Sequence, residues 1–358
     1  MNLIVPMAGK SSRFPNLRPK WMLTHPSGRF MAIEAIKSLN LEKFSKIYFV
    51  CLQEHEDQYS FIIGFNEELE DLGILTKSEF ILLKESTCDQ PETVKQAIKA
   101  ANIKGSIFVK DSDNHFAINY NGGNHVCYFD LNDSGLIKPS NKSYLTKDKS
   151  GYISNIVEKN VISPFYCVGG YGFKNAELFV DTLDSFSKKH DRYISDIIYK
   201  QILDGENFEA NKVEQYIDWG TLEDWNRFKR TYATLFVDID GTLVKNSSSH
   251  FPPYIGNTDP ITDNINIINK LFKSGKFQII LTTARPEKYR DVTLSQMEKE
   301  GIPFNKLIMG LYHSKRIIIN DYSKSNPFKS CDSINLKRDS GELGEMLKES
   351  LGLDYEEI

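Results

Sequence analysis

Along the first two-thirds of the chain, short apolar runs alternate with stretches of helical periodicity. Leu3-Ile4-Val5 and residues 46–52, 80–83 and 106–109 have the make-up of buried strands. Helices are predicted between them: residues 31–36, a second from about Glu54, and residues 91–101, where Pro91 occupies a first turn that has no use for the missing N–H. Strands alternating with helices predict a parallel, doubly wound α/β sheet. From His125 the pattern changes to shorter strands, at 125–129, 151–157 and 164–173. A helix from Leu222 to about Tyr232 then runs into a strand at 234–244 with no Gly/Ser or Pro-rich linker, so the junction is expected to be stiff. A further run lies at 278–281, and residues 340–351 read as a closing amphipathic helix before an acidic tail at 354–357.

Length fixes the number of cores. At 358 residues, and roughly 100–200 per domain, the chain suits two domains, 1–230 and 231–358. Lys plus Arg 44 against Asp plus Glu 48 gives a net charge of −4, which offers no basic field to nucleic acid or an anionic membrane; small-molecule chemistry fits better. Five scattered cysteines, odd in number and never in C-x-x-C spacing, indicate neither a disulfide framework nor a zinc site. Leu3-Ile4-Val5 is too short for a secretory leader and no run approaches a membrane span, so a cytoplasmic protein is expected.

Candidate chemistry starts where the first strand ends. Between Pro6 and Lys20 lie the small residues Ala8, Gly9, Ser11 and Ser12, followed by Arg13 and Lys20. Small side chains let backbone N–H groups approach phosphate oxygens, and the two cations can neutralise charge that builds up during transfer. The loop has neither P-loop nor dinucleotide-fingerprint spacing. Ala8, Gly9, Arg13, Pro19 and Lys20 instead resemble the signature of the sugar-phosphate nucleotidyltransferases, A-G-x-G-x-R followed by a P-K pair. Ser11 replaces the second glycine; it is small enough to keep the turn but limits positive φ.

The resemblance covers residues 1 to about 228 and implies a Rossmann-like domain with a doubly wound mixed sheet. It makes Ala8, Gly9, Ser11 and Ser12 nucleotide-binding and Arg13 and Lys20 catalytic, and sets Gln90 against the base. Residues 110–114 fall at a strand's carboxyl end, where ligands gather in such sheets. There the resemblance makes Asp113 the first Mg²⁺ ligand, with Asp111 as the alternative. Glu158, Lys159 and Gly170 would bind the acceptor, and Asp218, in Asp218-Trp219-Gly220-Thr221, would be the second metal ligand. In-line attack at an α-phosphorus needs positioning and charge neutralisation but no protein nucleophile.

Asp238-Ile239-Asp240-Gly241-Thr242, at the end of its own apolar run, resembles motif I of the haloacid dehalogenase (HAD) phosphatases. A calcium-type loop is the competing reading, although the remaining acidic positions are missing. The HAD resemblance implies a C-terminal HAD-like Rossmannoid. It makes Asp238 the nucleophile and Asp240 the general acid/base, with both also holding Mg²⁺ together with Asp321, and it makes Thr283, or else Thr282, the phosphoryl-binding hydroxyl. The third motif needs a lysine, and Lys315 is the nearest candidate after Gly310-Leu311; the fourth keeps only one acid, in Asn320-Asp321. About forty residues separate motifs I and II, against the ~50 or more an independent domain needs, so the domain is expected to be capless.

Together the resemblances imply a bifunctional enzyme of capsule or other surface-polysaccharide precursor synthesis. One half would transfer a nucleotidyl group to a sugar or polyol phosphate and release pyrophosphate; the other would hydrolyse a phosphomonoester. The A-G-x-S-x-R form of the loop leans to CTP. A silent HAD module, or a phosphatase carrying a regulatory nucleotide-binding domain, remain alternatives, and a homo-oligomer is left open.

Overall fold

The computed structural model describes residues 1–9, 11, 13–119, 122–133, 139–187, 192–321 and 330–351. The chain divides into two compact units, Met1–Asn226 and Arg227–Ile358.

The N-terminal unit is built on a mixed nine-stranded sheet. Its parallel half, in the order β3-β2-β1-β4, comprises β1 (Asn2–Pro6), β2 (Lys46–Leu52), β3 (Ser78–Leu83) and β4 (Ile107–Lys110). The crossovers are α1 (Met31–Lys37), α2 (Gln53–Tyr59) with α3 (Phe61–Asp71), and α4 (Gln90–Ala100). The two-residue period of a strand sorts side chains between two cores. Leu3 and Val5 of β1 join Ile33, Ile36, Phe65 and Leu69 of α1 and α3, whereas Ile4 joins Val94 and Ala97 of α4.

After β5 (Asn114–Ala117), no α-helix intervenes among the described residues of β6 (His125–Asp130), β7 (Ser143–Lys147), β8 (Ile153–Glu158) and β9 (Phe165–Phe173). Without helical crossovers these strands reverse direction: β9 runs antiparallel to β4, β6 and β7, and β7 antiparallel to β8. The parallel expectation therefore holds as far as β4, and the sheet as a whole is mixed. Then α5 (Ala176–Asp184) and α6 (Ile194–Leu203) add Phe179 and Ile197 to the second core. β10 (Glu209–Lys212) pairs with β6, and β11 (Glu214–Asp218) leaves the main sheet to pair antiparallel with β5. The change of unit falls within α7 (Leu222–Lys229).

The C-terminal unit has a parallel sheet of β12 (Ala233–Asp238), β13 (Phe277–Thr282) and β14 (Lys306–Ile308), in that order, with crossovers α8 (Thr262–Lys273) and α9 (Arg290–Lys299). α10 (Leu343–Leu351) starts later than its sequence pattern, at Leu343, whose N–H donates to Asn264 Oδ1 at 3.1 Å. Leu343 and Leu347 pack with Ile265, Ile268 and Leu271 of α8 against Val237, Ile279 and Leu281. Among the described residues β12 pairs on one side only, and Phe236 is 54% exposed. Ile317, Ile318 and Ile319 are 74%, 54% and 92% exposed. No described helix is long and apolar enough to cross a membrane. Residues 354–357 lie outside the described residues.

Candidate functional site

The loop after β1 is held at its two ends. Met7 N–H donates to Val50 O at 2.8 Å, still in register with the sheet; Ala8 beyond it is buried and Gly9 exposed. Ser11 adopts φ +47°, a left-handed conformation that costs a non-glycine residue ~1–2 kcal/mol. The turn expected to resist positive φ thus takes it, and two bonds compensate: Ser11 Oγ accepts from Lys20 N at 3.1 Å and Ser11 O from Phe14 N at 2.8 Å. Phe14 is buried while Arg13 faces solvent, so one side chain anchors the loop and the next is presented. Ser12 lies outside the described residues.

Lys20 Nζ forms an ion pair with Asp113. Burial alone would raise the Asp113 carboxyl, but Lys20, Lys142 and Lys110 hold it below the usual carboxylate range. Asp113 is joined to Asp218 through the β5–β11 pairing: Asp218 stands opposite Asn114, and Trp219 N–H donates to Asp113 O at 2.9 Å. Trp219 is buried, with its ring 5.9 Å from Trp225 and 5.5 Å from His25, which wedges the turn in place. A Cβ added at Gly220 would lie 3.0 Å from Asp218 Oδ1 and 3.4 Å from Asp113 Oδ2, so an oxygen of each carboxylate lies beside Gly220 and the two are close to one another. Among the described residues no three His, Cys, Asp or Glu side chains form a metal group. Two neighbouring carboxylates suit Mg²⁺, a hard ion bound through one or two carboxylates together with substrate phosphates, better than a closed zinc or calcium cage.

Lys110 and Lys142 drew no assignment from the sequence. Lys110 is wholly buried at the end of β4, where its Nζ donates to Asp111 O (2.8 Å), Asn114 O (2.9 Å) and Asn114 Oδ1 (2.6 Å) and lies 4.5 Å from the Phe116 ring centroid. Burial pushes its ammonium down to about 8, with Asp111 and Asp113 acting the other way. It clamps the acidic loop from beneath. Lys142 forms an ion pair with Asp218 and donates to Tyr216 OH at 2.7 Å. Its place in a polar stretch without periodicity left no signal; only the β7 and β11 pairings bring it there.

Asp111 lies between α4 and β9. Gln90 Nε2 donates to Asp111 Oδ1 at 2.5 Å, and Asp111 N–H to Gly169 O at 2.8 Å. Burial and Asp113 push its carboxyl up to about 6, against Lys110, Gln90 and Lys20. Gly169 has φ +80°, and a Cβ there would stand 2.3 Å from Asp111 Oδ2, so this position needs glycine twice over. Gly170 meets Phe116 Cζ at 2.7 Å and Cys127 Sγ at 2.8 Å on its Cβ side, which is core packing; the glycine facing the acidic loop is Gly169. Gln90 is steadied by Asp89, the N-cap of α4, which accepts from Glu92 N (2.8 Å) and from the buried Arg192 (Nε, 2.9 Å).

Glu158 ends β8 and accepts from Ser143 Oγ and from Ser195 Oγ at 3.0 Å. Lys159, with φ +55°, extends its Nζ to Tyr193 OH at 2.6 Å and gives its backbone N–H to Lys142 O at 3.0 Å. Loop, Asp113, Asp218, Lys142, Glu158 and Lys159 thus form one connected set.

In the C-terminal unit Asp238 ends β12, and burial raises its carboxyl while Arg316 lowers it. Lys315, the expected lysine, is exposed; the cation on Asp238 is its neighbour Arg316, with Nη2 at 3.1 Å from Oδ1 and Nη1 at 3.4 Å from Thr282 Oγ1. Asp240 is gripped by Arg285 through a two-pronged fork, Nε to Oδ2 and Nη2 to Oδ1, each 2.8 Å. Arg285 is itself fixed by Gln296 Oε1 (2.9 Å) and Thr293 Oγ1 (3.2 Å). Thr283 Oγ1 lies 3.4 Å from Asp240 Oδ2. Asp321 is exposed and forms no three-membered group with Asp238 and Asp240, because residues 317–321 follow no strand pairing that would carry it there.

No protein-family model matches the chain, and no curated protein matches it. Solved structures do. A nucleoside-diphosphate-sugar pyrophosphorylase from Vibrio cholerae RC9 aligns with TM-score 0.54 and 21% identity over 63% of this chain and 98% of that one. The inositol-1-phosphate CTP transferase from T. maritima gives 0.51 and 14% over 62% and 90%, and a UDP-glucose pyrophosphorylase complexed with UDP-glucose gives 0.50 and 16% over 63% and 96%. The N-terminal unit is 226 of 358 residues, the same share of the chain. At these identities the likeness is one of fold: a mixed α/β nucleotidyltransferase fold over about 63% of the chain.

Proposed function

We propose that the N-terminal unit transfers a nucleotidyl group from a nucleoside triphosphate, CTP by preference, to a sugar or polyol phosphate and releases pyrophosphate. The carrying observation is that Asp113 and Asp218 come together beside Gly220, each with a lysine counter-ion, near a small-residue loop in a fold shared with solved nucleotidyltransferases. An acceptor phosphate oxygen bonds to the α-phosphorus as the bond to the β-phosphate oxygen breaks, and pyrophosphate leaves with the electron pair. Backbone groups of Ala8, Gly9 and Ser11 cradle the triphosphate, Arg13 and Lys20 neutralise the departing charge, and Glu158 and Lys159 orient the acceptor. Mg²⁺ held by Asp113 and Asp218 would supply further charge neutralisation.

The C-terminal unit, in this reading, is a HAD-type phosphatase serving the same surface-polysaccharide precursor route. Asp238 attacks a phosphoryl group as its bond to the leaving oxygen breaks, Thr283 holds it, Arg316 takes the role expected of Lys315, Asp240 passes a proton to the leaving oxygen, and water then attacks the phosphorus, freeing phosphate and the Asp238 carboxylate. The Arg285 fork on Asp240 favours a second reading, in which this unit is catalytically silent.

The deciding experiment assays pyrophosphate and inorganic phosphate in the same wells, for the common nucleoside triphosphates against sugar, heptose, ketose and polyol phosphates. Asp113→Asn and Asp218→Asn should each lower pyrophosphate release by ~100-fold or more and leave phosphate release intact. Asp238→Asn should abolish phosphate release alone. Phosphate release that survives in Asp238→Asn would remove the phosphatase assignment, and its absence from the unaltered enzyme would establish the silent one.

A further inference from the structure

Three lysines, Lys20, Lys110 and Lys142, act on the Asp113 carboxyl, and two have evident employment. Lys20 belongs to the triphosphate loop, and Lys110 is buried and spends its donors on Asp111 and Asn114. Lys142 differs. Its side chain is 14% exposed, and its ammonium meets both Asp218 and Tyr216 OH. An ammonium has three donors, and partners among the described residues take two of them.

The backbone at Lys142 belongs to the acceptor side. Lys142 O accepts from Lys159 N at 3.0 Å, and the following residue, Ser143, stands opposite Glu158 in the β7–β8 register. Its side chain points the other way, to Asp218, whose Oδ1 also accepts from Gly220 N at 3.0 Å. One residue therefore bridges the β7–β8 pair and the carboxylate that neighbours Asp113.

A divalent cation held between Asp113 and Asp218 and the ammonium on Asp218 would repel each other and seek the same carboxylate, so they would compete. A lysine on a flexible stem can leave for a nearby anion, and under the nucleotidyl-transfer reading that anion is the phosphate of an acceptor bound beside Glu158 and Lys159. We infer that Lys142 competes with the divalent cation for Asp218 and delivers its ammonium to the phosphate of the acceptor. The inference rests on the nucleotidyl-transfer reading for its second half only; the competition is independent of it.

The test uses the full chain and Mn²⁺ as the probe, titrated without substrate and followed by the loss of the free-ion electron paramagnetic resonance signal. Lys142→Met should bind Mn²⁺ roughly tenfold more tightly, the effect of removing one nearby like charge. In an Asp218→Asn background the same substitution should change nothing. With whichever triphosphate and sugar or polyol phosphate release pyrophosphate, Lys142→Met should raise the acceptor KM roughly tenfold and the triphosphate KM less than twofold, and Lys142→Arg should recover part of the loss. Unchanged Mn²⁺ affinity in a folded Lys142→Met would overturn the competition and leave a fixed structural ion pair. Tighter Mn²⁺ binding with an unchanged acceptor KM would overturn the phosphate role. If no pair of substrates reacts, nucleotidyl transfer fails as a reading, and the phosphate role with it, while the Mn²⁺ titration still decides the competition.

Discussion

His125 illustrates how a single residue can set the acid limit of the fold. It is buried at the start of β6, its ring stacks on Phe108 with centroids 5.4 Å apart, and Nδ1 lies 3.2 Å from Gly123 O. A Cβ on Gly172 would come within 2.2 Å of its ring, so the opposite strand is shaped around it. Burial pushes its pKa from the ordinary 6.5 down to about 4, with the Gly123 carbonyl acting the other way. The unfolded chain therefore binds more protons than the folded one between about pH 4 and 6.5. The stabilising contribution is complete above 6.5 and is lost as the pH falls through that window. At pH 5 the loss should be about 2 kcal/mol, seen as a lower urea midpoint than at pH 7. His125→Gln should be less stable at pH 7 but flatter between the two pH values; an equal slope would assign the acid sensitivity to other groups.

Among the elements, the β5–β11 pair does most to assemble the candidate site. It joins carboxylates 105 positions apart in sequence, and the pairing of Ile217 with His115 is its central rung. Ile217→Pro removes a backbone donor there and should weaken the pair locally. Pyrophosphate release should fall sharply while far-ultraviolet circular dichroism stays near that of the unaltered protein; retained activity would show that Asp218 is held by the Trp219 wedge rather than by the pair. This element also marks the limit of what the sequence reveals. β1, β2 and β4 announce themselves because both faces are buried and their apolar runs are continuous, and β3, at the sheet edge, through its apolar run alone. β5, β10 and β11 are short and polar, and they exist because of partners far along the chain. The acids Asp113 and Asp218 were legible from motif resemblance. Lys142 on Asp218, Arg192 on Asp89 and Arg316 on Asp238 were not, since each ion pair spans 76 to 103 positions and depends on which strands meet. Lys315 and Arg316 show the same limit at its smallest: adjacent cations cannot be told apart without the backbone's direction.

At the scale of the whole molecule, the proposed function gives each unit its own chemistry, so Asp113→Asn and Asp238→Asn should silence one product each. A double variant should show both losses with no interaction between them beyond about 0.5 kcal/mol equivalent. The isoleucine triplet bears on behaviour in the tube. Three consecutive β-branched residues, all solvent-facing, accompany a sheet whose outer strand β12 has an unpaired edge among the described residues. Unpaired edges and exposed β-prone runs are templates for strand pairing between molecules. The protein should show turbidity that grows with concentration, reduced by Ile318→Lys and measurable by light scattering. Shelf life, rather than turnover, is where Ile317, Ile318 and Ile319 should first be noticed.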